Sequence, residues 1–354
     1  MPAMVTSEKS DESAGARPSS RSRTAPSQAD VARLAGVSGQ TVSRVANGYG
    51  TVLPETRDRV LDAMAKLGYS PNSAARALRY GTFDTIGVIA HKLGRTGESR
   101  TTEAVVGAAR AAGHGVALVD VSTPSTEDVT AAAHQLSHQA IDGLVIIRAE
   151  LDSPERLILP PLLPVVVSDS QFAGRLPTVG ADQERGTREA VEHLLGLGHR
   201  TVHHVAGPPD SIPASARREA WRDTLTAHGR EVPPVIEGDW TPRSGYEAGL
   251  RIADDPSVTA VFCANDEMAT GLMMALHRRG VEVPGRVSVV GFDDVDLAEF
   301  SWPPLTTVRQ DFAEIGRLLV ATLLDQMKEP RRAPARTIVP TELIVRESTA
   351  PPGT

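Results

Sequence analysis

The stretch QADVARLAGVSGQTVSRVAN, residues 28–47, has the pattern of two short helices joined by a tight turn. Gly36 breaks the first helix, and the apolar residues before it recur at helical spacing. They are Ala29, Val31, Ala32, Leu34 and Ala35. Ser38 stands where the second helix needs an N-cap, and Val42 and Val45, three residues apart, predict the buried face of that helix.

The other face of the second helix carries polar side chains typical of a surface that reads a DNA major groove. Gln40 and Arg44 lie at i and i+4, so they project the same way, and amide and guanidinium groups recognise adenine and guanine edges. Hydroxyl and amide groups nearby are suited to phosphates. The candidate DNA-contacting residues here are Ser38, Gln40, Thr41, Ser43, Arg44 and Asn47. Two helices alone would also fit an ordinary helical hairpin.

The bulk composition describes a globular protein of more than one domain. The chain has 354 residues, 40% of them hydrophobic and 23% charged. No apolar run approaches the ~18 residues of a membrane span, and the N-terminus lacks the apolar segment of a signal peptide. The single cysteine, Cys263, has no internal disulfide partner. We therefore expect a cytoplasmic protein that has no contact with a membrane.

Charge is distributed unevenly along the chain. The net charge is −7, yet residues 1–81 hold 11 Lys/Arg against 7 Asp/Glu, a balance of +4. The remainder therefore carries −11. A basic head on an acidic body is typical of a protein that touches a polyanion at one end only.

A third helix and an alanine-rich segment follow the first two helices. Pro54 fits the first position of the third helix, and Gly68 ends it. Its predicted buried stripe is Val60, Leu61, Met64 and Leu67. Leu53 precedes it and offers no capping side chain. Residues 1–26 predict a disordered tail, and residues 72–83 a short helix that forms only when something docks it.

Residues 27–81 resemble the DNA-binding head of the LacI family of bacterial transcription regulators. The resemblance rests on DVARLAGVS followed by TVSRV, on ETR at residues 55–57, on LGY at 67–69 and on the alanine and leucine of residues 75–78. It implies that hinge helices of two subunits enter a DNA minor groove, with Ala75 and Leu78 on the inserted face. Gly39 departs from the family, because many relatives place a base-reading side chain there.

The body, residues 84–348, alternates continuous apolar strands with helices, and residues 349–354 form a short tail. This alternation predicts an α/β body with parallel sheets covered on both faces. The number of strands indicates two doubly wound subdomains, an arrangement that resembles the periplasmic sugar-binding protein fold. The resemblance implies that the chain crosses between the subdomains three times, near residues 182, 309 and 340.

Polar side chains follow several of the predicted strands. Doubly wound sheets bind ligands at the carboxyl ends of their strands, and each sugar hydroxyl both donates and accepts hydrogen bonds. The residues found there are Asp169, Asn265, Asp266, Asp293 and Asp294, with Arg217 at the start of a later helix. Trp240 could stack on a pyranose ring. For Asp266 a structural role, capping the helix that follows, is favoured over a ligand contact, and Asp294 has a structural role as an alternative.

The resemblance to the family's sugar-responsive members rests on GDW and SG within residues 238–245, on AND, MA and G within 264–271, on SVVGFDD at 288–294, and on PPLTTV and QDF within 303–312. It implies a set of effector contacts that continues beyond the strand ends. The set is Asp169, Arg217, Trp240, Asn265, Asp293, Gln310 and Phe312, with core packing as the alternative for Phe312. The first wall of the pocket departs from galactoside-binding relatives at residues 90–98 and at Ala181. There His91, Arg95 and Glu98 are either ligand contacts or solvated loop residues.

These patterns together predict a sequence-specific DNA-binding transcription regulator. We expect a repressor that acts as a homodimer on a double-stranded, pseudo-palindromic operator and that a galactoside-like sugar releases. A corepressor in the same fold and a non-regulatory sugar-binding protein are the alternatives. The sequence contains none of the motifs G-x-S-x-G, H-E-x-x-H or P-loop, and no Cys/His cluster. We therefore expect no enzymatic activity, no metal and no cofactor.

Overall fold

The structure is a computed structural model that describes residues 26–46, 52–69, 81–121, 125–147, 156–168, 172, 174–329 and 333–353. The chain divides into two compact units, and the boundary falls between residues 80 and 81. Four of the predicted contact residues lie outside the described residues. They are Asn47, Ala75, Leu78 and Asp169.

The described part of the first unit contains three helices, α1 (Gln28–Ala35), α2 (Gly39–Ala46) and α3 (Pro54–Leu67). Ser27 and Asp30 form a reciprocal capping box at the start of α1, which satisfies two of its free N–H groups. The three helices enclose one apolar core. Its members are Val31, Ala35, Val42, Val45, Val60, Ala63 and Met64. The predicted stripes were partly wrong, because Ala29, Leu34 and Leu61 are exposed.

The second unit contains two lobes, each built on a six-stranded sheet. The sheet of the first lobe has the order β11-β5-β4-β3-β1-β2, and all its strand pairs are parallel. The strands are β1 (Thr85–His91), β2 (Gly115–Val121), β3 (Gly143–Ile147), β4 (Val165–Ser168), β5 (Thr178–Ala181) and β11 (Arg336–Val339). The helices of this lobe are α4 (Thr96–Ala111), α5 (Thr126–His138) and α11 (Phe312–Lys328).

The sheet of the second lobe has the order β12-β10-β9-β8-β6-β7. Its strands are parallel except for the pair β10 and β12. They are β6 (His203–Ala206), β7 (Ile236–Glu237), β8 (Ala260–Cys263), β9 (Ser288–Asp293), β10 (Thr306–Gln310) and β12 (Thr341–Ile344). The helices are α6 (Gln183–Gly196), α7 (Ile212–Ala227), α8 (Pro242–Asp254), α9 (Asp266–Arg278) and α10 (Asp296–Glu299).

The chain passes between the lobes at three places. It leaves the first lobe after β5, returns after β10 and crosses again between β11 and β12. These points agree with the crossings predicted near residues 182, 309 and 340. The predicted α/β fold class with two doubly wound sheets is confirmed. Because every crossing joins a strand of one sheet to an element of the other lobe, the strand ends of both sheets face a common cleft.

Close helix packing in the second lobe depends on glycine. A Cβ added at Gly271 of α9 would lie 1.8 Å from the carbonyl oxygen of Pro242, and one at Gly245 of α8 would lie 2.0 Å from that of Met268. Both contacts are with backbone, which cannot move aside cheaply. The two helices that follow the GDW and AND segments are therefore packed closely against each other.

The core of the second lobe contains a buried histidine, His204, whose imidazole is uncharged. His204 is fully buried, its ring stacks on Phe262 at 5.0 Å between centroids, and its Nδ1 lies 3.0 Å from the carbonyl oxygen of Phe262. That geometry requires Nδ1–H to donate. Burial lowers the pKa of His204 to about 3. The folded protein therefore resists protonation at this site, whereas the unfolded chain takes up the proton near its ordinary pKa of about 6.5.

We expect His204 to make the body less stable in mild acid. Because its pKa is lower in the folded state, the stability that it contributes is complete above pH 6.5 and is lost as the pH falls toward 3. The loss should reach about 2 kcal/mol between pH 7.5 and pH 5. Chemical denaturation at both pH values should reveal it as a difference between the wild-type protein and His204→Gln. His277→Gln, an exposed control, should keep the wild-type pH dependence, and the same dependence in both variants would contradict this assignment.

Candidate functional site

The exposed face of α2 carries the side chains that the sequence assigned to DNA. Gln40 and Arg44 are exposed, while Thr41 and Ser43 are half-buried. Ser38 caps the helix, because its hydroxyl accepts a hydrogen bond from the Thr41 backbone N–H at 3.1 Å. Its hydroxyl also lies 2.9 Å from that of Thr41. The two long polar side chains are therefore presented on a helix whose first turn is fixed.

There is space for a side chain at Gly39, at the start of α2. A Cβ there would meet nothing closer than the Gln28 side-chain nitrogen, at 3.8 Å. That nitrogen donates to the carbonyl oxygen of Gly39 at 2.6 Å and so ties the start of α1 to the start of α2. A side chain would fit at this position, so the glycine reflects no packing requirement.

A cavity of about 160 Å³ lies between the two lobes. The first lobe contributes residues 94–98, at the end of the β1–α4 loop and the start of α4. The second lobe contributes the carboxyl ends of its strands and the loops that follow them. These residues are Arg217, Asp239, Trp240, Thr241, Pro242, Asn265, Glu267 and Asp293. Four of the predicted effector contacts, Arg217, Trp240, Asn265 and Asp293, are thus brought together, with Arg95 opposite them.

Arg217 of α7 is the centre of a buried polar network. Its side chain is 2% exposed, and its Nη2 lies 3.5 Å from Asp293 Oδ1. Nε donates to Gln183 at 2.8 Å, and Nη1 donates to the carbonyl oxygen of Ala264. The guanidinium carbon stands 3.7 Å from the ring centre of Phe292. One cation therefore orients a carboxylate, an amide and a backbone carbonyl around the cavity.

The indole of Trp240 forms one wall of the same cavity. It packs so closely on Gly207 that a Cβ at that glycine would lie 2.4 Å from the ring. Trp240 has a φ of 74°, a backbone conformation that residues other than glycine rarely adopt. The guanidinium of Arg217 stands 5.5 Å from the indole centre. The flat face of an apolar ring is therefore held beside the polar network, which suits the apolar face of a pyranose.

The neighbours Asn265 and Asp266 have distinct roles. Asn265, rather than Asp266, caps α9, because its Oδ1 accepts from the Met268 backbone N–H at 2.9 Å. The Asn265 amide nitrogen donates to the carbonyl oxygen of Trp240 at 3.0 Å. Asp266 is fully buried and accepts from the Val295 backbone N–H and the Thr307 hydroxyl. The structural alternative for Asp266 holds, but the capping role predicted for it was wrong.

The carboxyl groups of Asp266 and Asp293 affect each other. Burial raises the pKa of Asp266 well above its usual range, and the charge of Asp293 raises it further. Asp294 points elsewhere and bonds Arg309 and Arg346, each at 2.7 Å. Of the three carboxyl groups, Asp293 alone lines the cavity. Asp294 therefore has the structural role that the sequence left open.

Three other candidate residues, Gln310, Phe312 and His91, do not line the cavity. Gln310 is 4% exposed and donates to Asp293 at 2.5 Å, so it orients that carboxylate. Phe312 packs against the core of the first lobe, in agreement with its structural alternative. His91 belongs to β1 and is 1% exposed, so it is no solvated loop residue. Glu98, by contrast, lines the cavity and is buried within α4, so it is no solvated loop residue either.

The sequence reasoning missed two polar residues that complete the site. Gln183 accepts from Arg217 and donates to Gln310 at 3.1 Å, and so joins the network across the first crossing of the chain. Glu267 lines the cavity and accepts from the Thr96 hydroxyl of the opposite lobe. Gln183 immediately follows the predicted crossing at residue 182, a position that could have marked it.

Ala181 does not line the cavity between the lobes. It lines a second cavity of about 160 Å³, together with Gln183, Ile212 and Arg336. Ala181 is therefore not part of the cavity wall near Arg95. Within the described residues, one group could also hold a metal ion, namely Asp84, His114 and Asp142. Both Asp142 oxygens accept backbone N–H groups, from residues 83 and 85.

Comparison with known proteins gives a consistent result. Residues 29–72 match the family described as bacterial regulatory proteins, lacI family, and residues 191–349 match a periplasmic binding protein-like domain. The lactose operon repressor of Escherichia coli is 35% identical over 331 residues, which cover 92% of this chain and 91% of that protein. The regulator CelR of Thermobifida fusca is 33% identical over 340 residues, with 92% and 99% covered.

Solved structures agree with these sequence matches. A lac repressor dimer bound to operator and the anti-inducer ONPF has a TM-score of 0.80 and 32% identity, covering 92% of this chain and all of that one. The complex of the regulator CelR with cellobiose has a TM-score of 0.69 and 31% identity, with 91% and 99% covered.

A helix-turn-helix head and a two-lobed α/β body with a polar cleft define a ligand-responsive, DNA-binding transcription regulator. The chain belongs to the lacI family of bacterial regulatory proteins. The predicted resemblance is thereby confirmed. Like its relatives, the chain is a transcription regulator and not an enzyme. None of the helices in the described part of the chain has the length and hydrophobicity needed to cross a bilayer.

Proposed function

We propose that this protein represses transcription from a pseudo-palindromic operator as a homodimer and leaves the operator when a sugar binds between the lobes. The cavity carries this proposal. It combines a carboxylate, an amide and a guanidinium from Asp293, Asn265 and Arg217 with the indole of Trp240. Such groups satisfy vicinal hydroxyls and one apolar ring face. Asp169 is an additional proposed contact.

A galactoside-like effector is the proposed ligand class. The 35% identity to the lactose operon repressor over most of both chains supports it. The related CelR complex holds cellobiose, which supports a wider class of glycosides. The first-lobe wall at residues 94–98 carries Arg95, Thr96 and Glu98. In this proposal the aglycone of the glycoside faces these polar side chains, and they set its specificity.

The proposed DNA-binding machinery extends beyond α2. Residues 27–71 form the head and 72–83 the hinge, between the tail of residues 1–26 and the body of residues 84–348. In this proposal Ala75 and Leu78 enter the central minor groove, while the α2 helices of two subunits read adjacent major grooves. Asn47 joins Thr41 and Ser43 in contacting phosphates. A protein that acts on chromosomal DNA in this way works in the bacterial cytoplasm.

The sugar acts only if it binds two states of the protein with different affinity. By linkage, operator DNA must then change sugar affinity by the same factor. Fluorescence anisotropy of a labelled pseudo-palindromic operator, drawn from DNA flanking the gene, tests both statements at fixed salt. Release of the operator by a glycoside supports the proposal. Tighter operator binding with the glycoside would assign a corepressor instead, and no binding to the operator would contradict the proposal.

Arg44→Ala should weaken operator binding because it removes a guanidinium that reads a guanine edge. We expect a loss of about 1–3 kcal/mol, roughly 5- to 150-fold, with relaxed preference at one base position of each half-site. Operator anisotropy at constant salt measures the effect. Arg222→Ala, which removes an exposed arginine from the body, is the matched control. Equal losses in both variants would show that Arg44 contributes only general charge.

A further inference from the structure

The charges around the cavity are not evenly matched. Arg217 stands beside Asp293 at 3.5 Å, and Arg95 stands beside Glu98 at 3.7 Å. Each of these pairs brings together a cation and an anion. Asp239 also lines the cavity, but it is exposed to solvent and already accepts from the backbone N–H and hydroxyl of Thr241. The sixth residue with a carboxyl or guanidinium group in the lining of the cavity is Glu267.

Glu267 has one oxygen in use and one free. Its Oε1 accepts from the Thr96 hydroxyl of the first lobe. Its Oε2 is buried and has no hydrogen-bond partner among the residues that the structure describes. A buried carboxylate oxygen without a donor is unfavourable, and a donor supplied by a ligand would be bound in a setting where water competes weakly.

We propose that Glu267 selects the effector by binding a hydrogen-bond donor on its aglycone side, beside the first-lobe segment 94–98. This inference rests on the proposed function of the cleft as a sugar site, and it specifies which sugars. The effector carries either a hydroxyl, as a second sugar ring does, or an ammonium group. Glycosides with a carboxylate or phosphate at this point are rejected, because they would meet an anion that has no paired cation.

The position of Glu267 also gives this contact a consequence for lobe closure. The same carboxyl group accepts from Thr96 across the cleft and would accept from the ligand through its other oxygen. Nearby, Arg100 of α4 donates to Asp296 of the second lobe at 3.0 Å. A ligand bound at Oε2 is therefore held at a point where the two lobes already touch, so a mismatched aglycone should weaken binding throughout the cleft.

A matched set of four galactosides of similar size tests the proposal. The aglycones are 2-methoxyethyl, 2-hydroxyethyl, 2-aminoethyl and carboxymethyl, and the corresponding glucosides form a second set. Affinities for the full-length protein are measured by calorimetry. We expect the hydroxyethyl or the aminoethyl glycoside to bind about tenfold more tightly than the methoxyethyl one, and the carboxymethyl one to bind weakest.

Variants at Glu267 identify the donor. If the donor is an ammonium group, Glu267→Gln should remove the advantage of the aminoethyl glycoside. If it is a hydroxyl, Glu267→Gln should keep the advantage of the hydroxyethyl glycoside, because the amide oxygen still accepts. Glu267→Leu should remove either preference. Thr96→Val changes only the cross-lobe partner and should weaken all glycosides while keeping their order, and Glu247→Gln on the exposed face of α8 should change nothing.

Two outcomes would overturn the proposal in different ways. If glycosides bind but all four aglycones bind equally, and Glu267→Leu leaves that pattern unchanged, the role of Glu267 is wrong and the sugar site stands. If neither set binds, the sugar assignment of the cleft fails, and the role of Glu267 fails with it. Thermal unfolding of each variant separates a loss of selectivity from a loss of folded protein.

Discussion

Arg217→Met should destabilise the body by about 3–5 kcal/mol and remove the response to sugar. The substitution keeps most of the side-chain volume but deletes the cation that stands beside Asp293, both groups being buried. The carboxylate would then remain in the interior beside Gln310, which donates a hydrogen bond to it, without the cation that now stands next to it. Gln183 and the carbonyl oxygen of Ala264 would also lose a donor. Urea denaturation and a glycoside titration measure the two effects.

A second substitution distinguishes an unpaired charge from lost packing. Arg217→Met/Asp293→Asn should be more stable than Arg217→Met alone, because the amide oxygen can still accept from Gln310 and no buried charge is left behind. Arg218→Met is the matched control on the same helix. Its partner Glu237 is exposed, so the change should cost at most about 1 kcal/mol. Similar losses in Arg217→Met and Arg218→Met would contradict the central role of Arg217.

The two-sheet architecture of the body could be predicted from the sequence, because apolar runs mark buried parallel strands. Apolar runs at residues 86–89, 143–147, 260–263 and 287–290 predicted β1, β3, β8 and β9 in this way. The strands β5, β7, β10, β11 and β12 were missed, because they have only two to five residues and contain no continuous apolar run. The start of α4 was also missed. Residues 96–101 contain few apolar side chains, and the helix there is stabilised by tertiary packing that the local pattern does not reveal.

The site could be predicted where a residue type identifies its chemistry. Arg217, Trp240 and Asn265 were found because guanidinium, indole and amide groups at strand ends suggest a sugar. The role of Asp266 was mistaken, because a carboxyl at the start of a helix usually caps it. Here its oxygens reach Val295 and Thr307, on other elements. Glu267 was missed because its partner, Thr96, is distant in sequence and belongs to the other lobe.

A surface on the second lobe is suited to joining two subunits. Leu297, Phe300 and Trp302 lie within six residues and are 73%, 78% and 90% exposed. Trp302 lies beside Met273 and His277 of α9. Exposed large apolar side chains concentrated in this way mark an interaction surface. A homodimer with twofold symmetry would bury the same stretch on both subunits, and a regulator that reads two half-sites needs such a dimer.

Phe300→Glu/Trp302→Glu should convert the proposed dimer into a monomer and weaken operator binding by about 10²- to 10⁴-fold. Because a twofold interface uses each residue twice, the two substitutions place four carboxylates in an apolar contact. The second half-site then binds independently of the first, and the advantage of linking two heads is lost. Sedimentation equilibrium gives the mass, and operator anisotropy gives the affinity at the same protein concentration.

Leu162→Glu is the matched control, since Leu162 is 96% exposed and belongs to the first lobe. It should remain dimeric and bind operator as the wild-type protein does. Glycoside affinity should be nearly unchanged in both variants, because the cavity lies within one subunit and its residues are not substituted. A double variant that stays dimeric would place the interface elsewhere. A monomeric variant that keeps full operator affinity would show that one DNA-binding head is sufficient for recognition without the head of a second subunit.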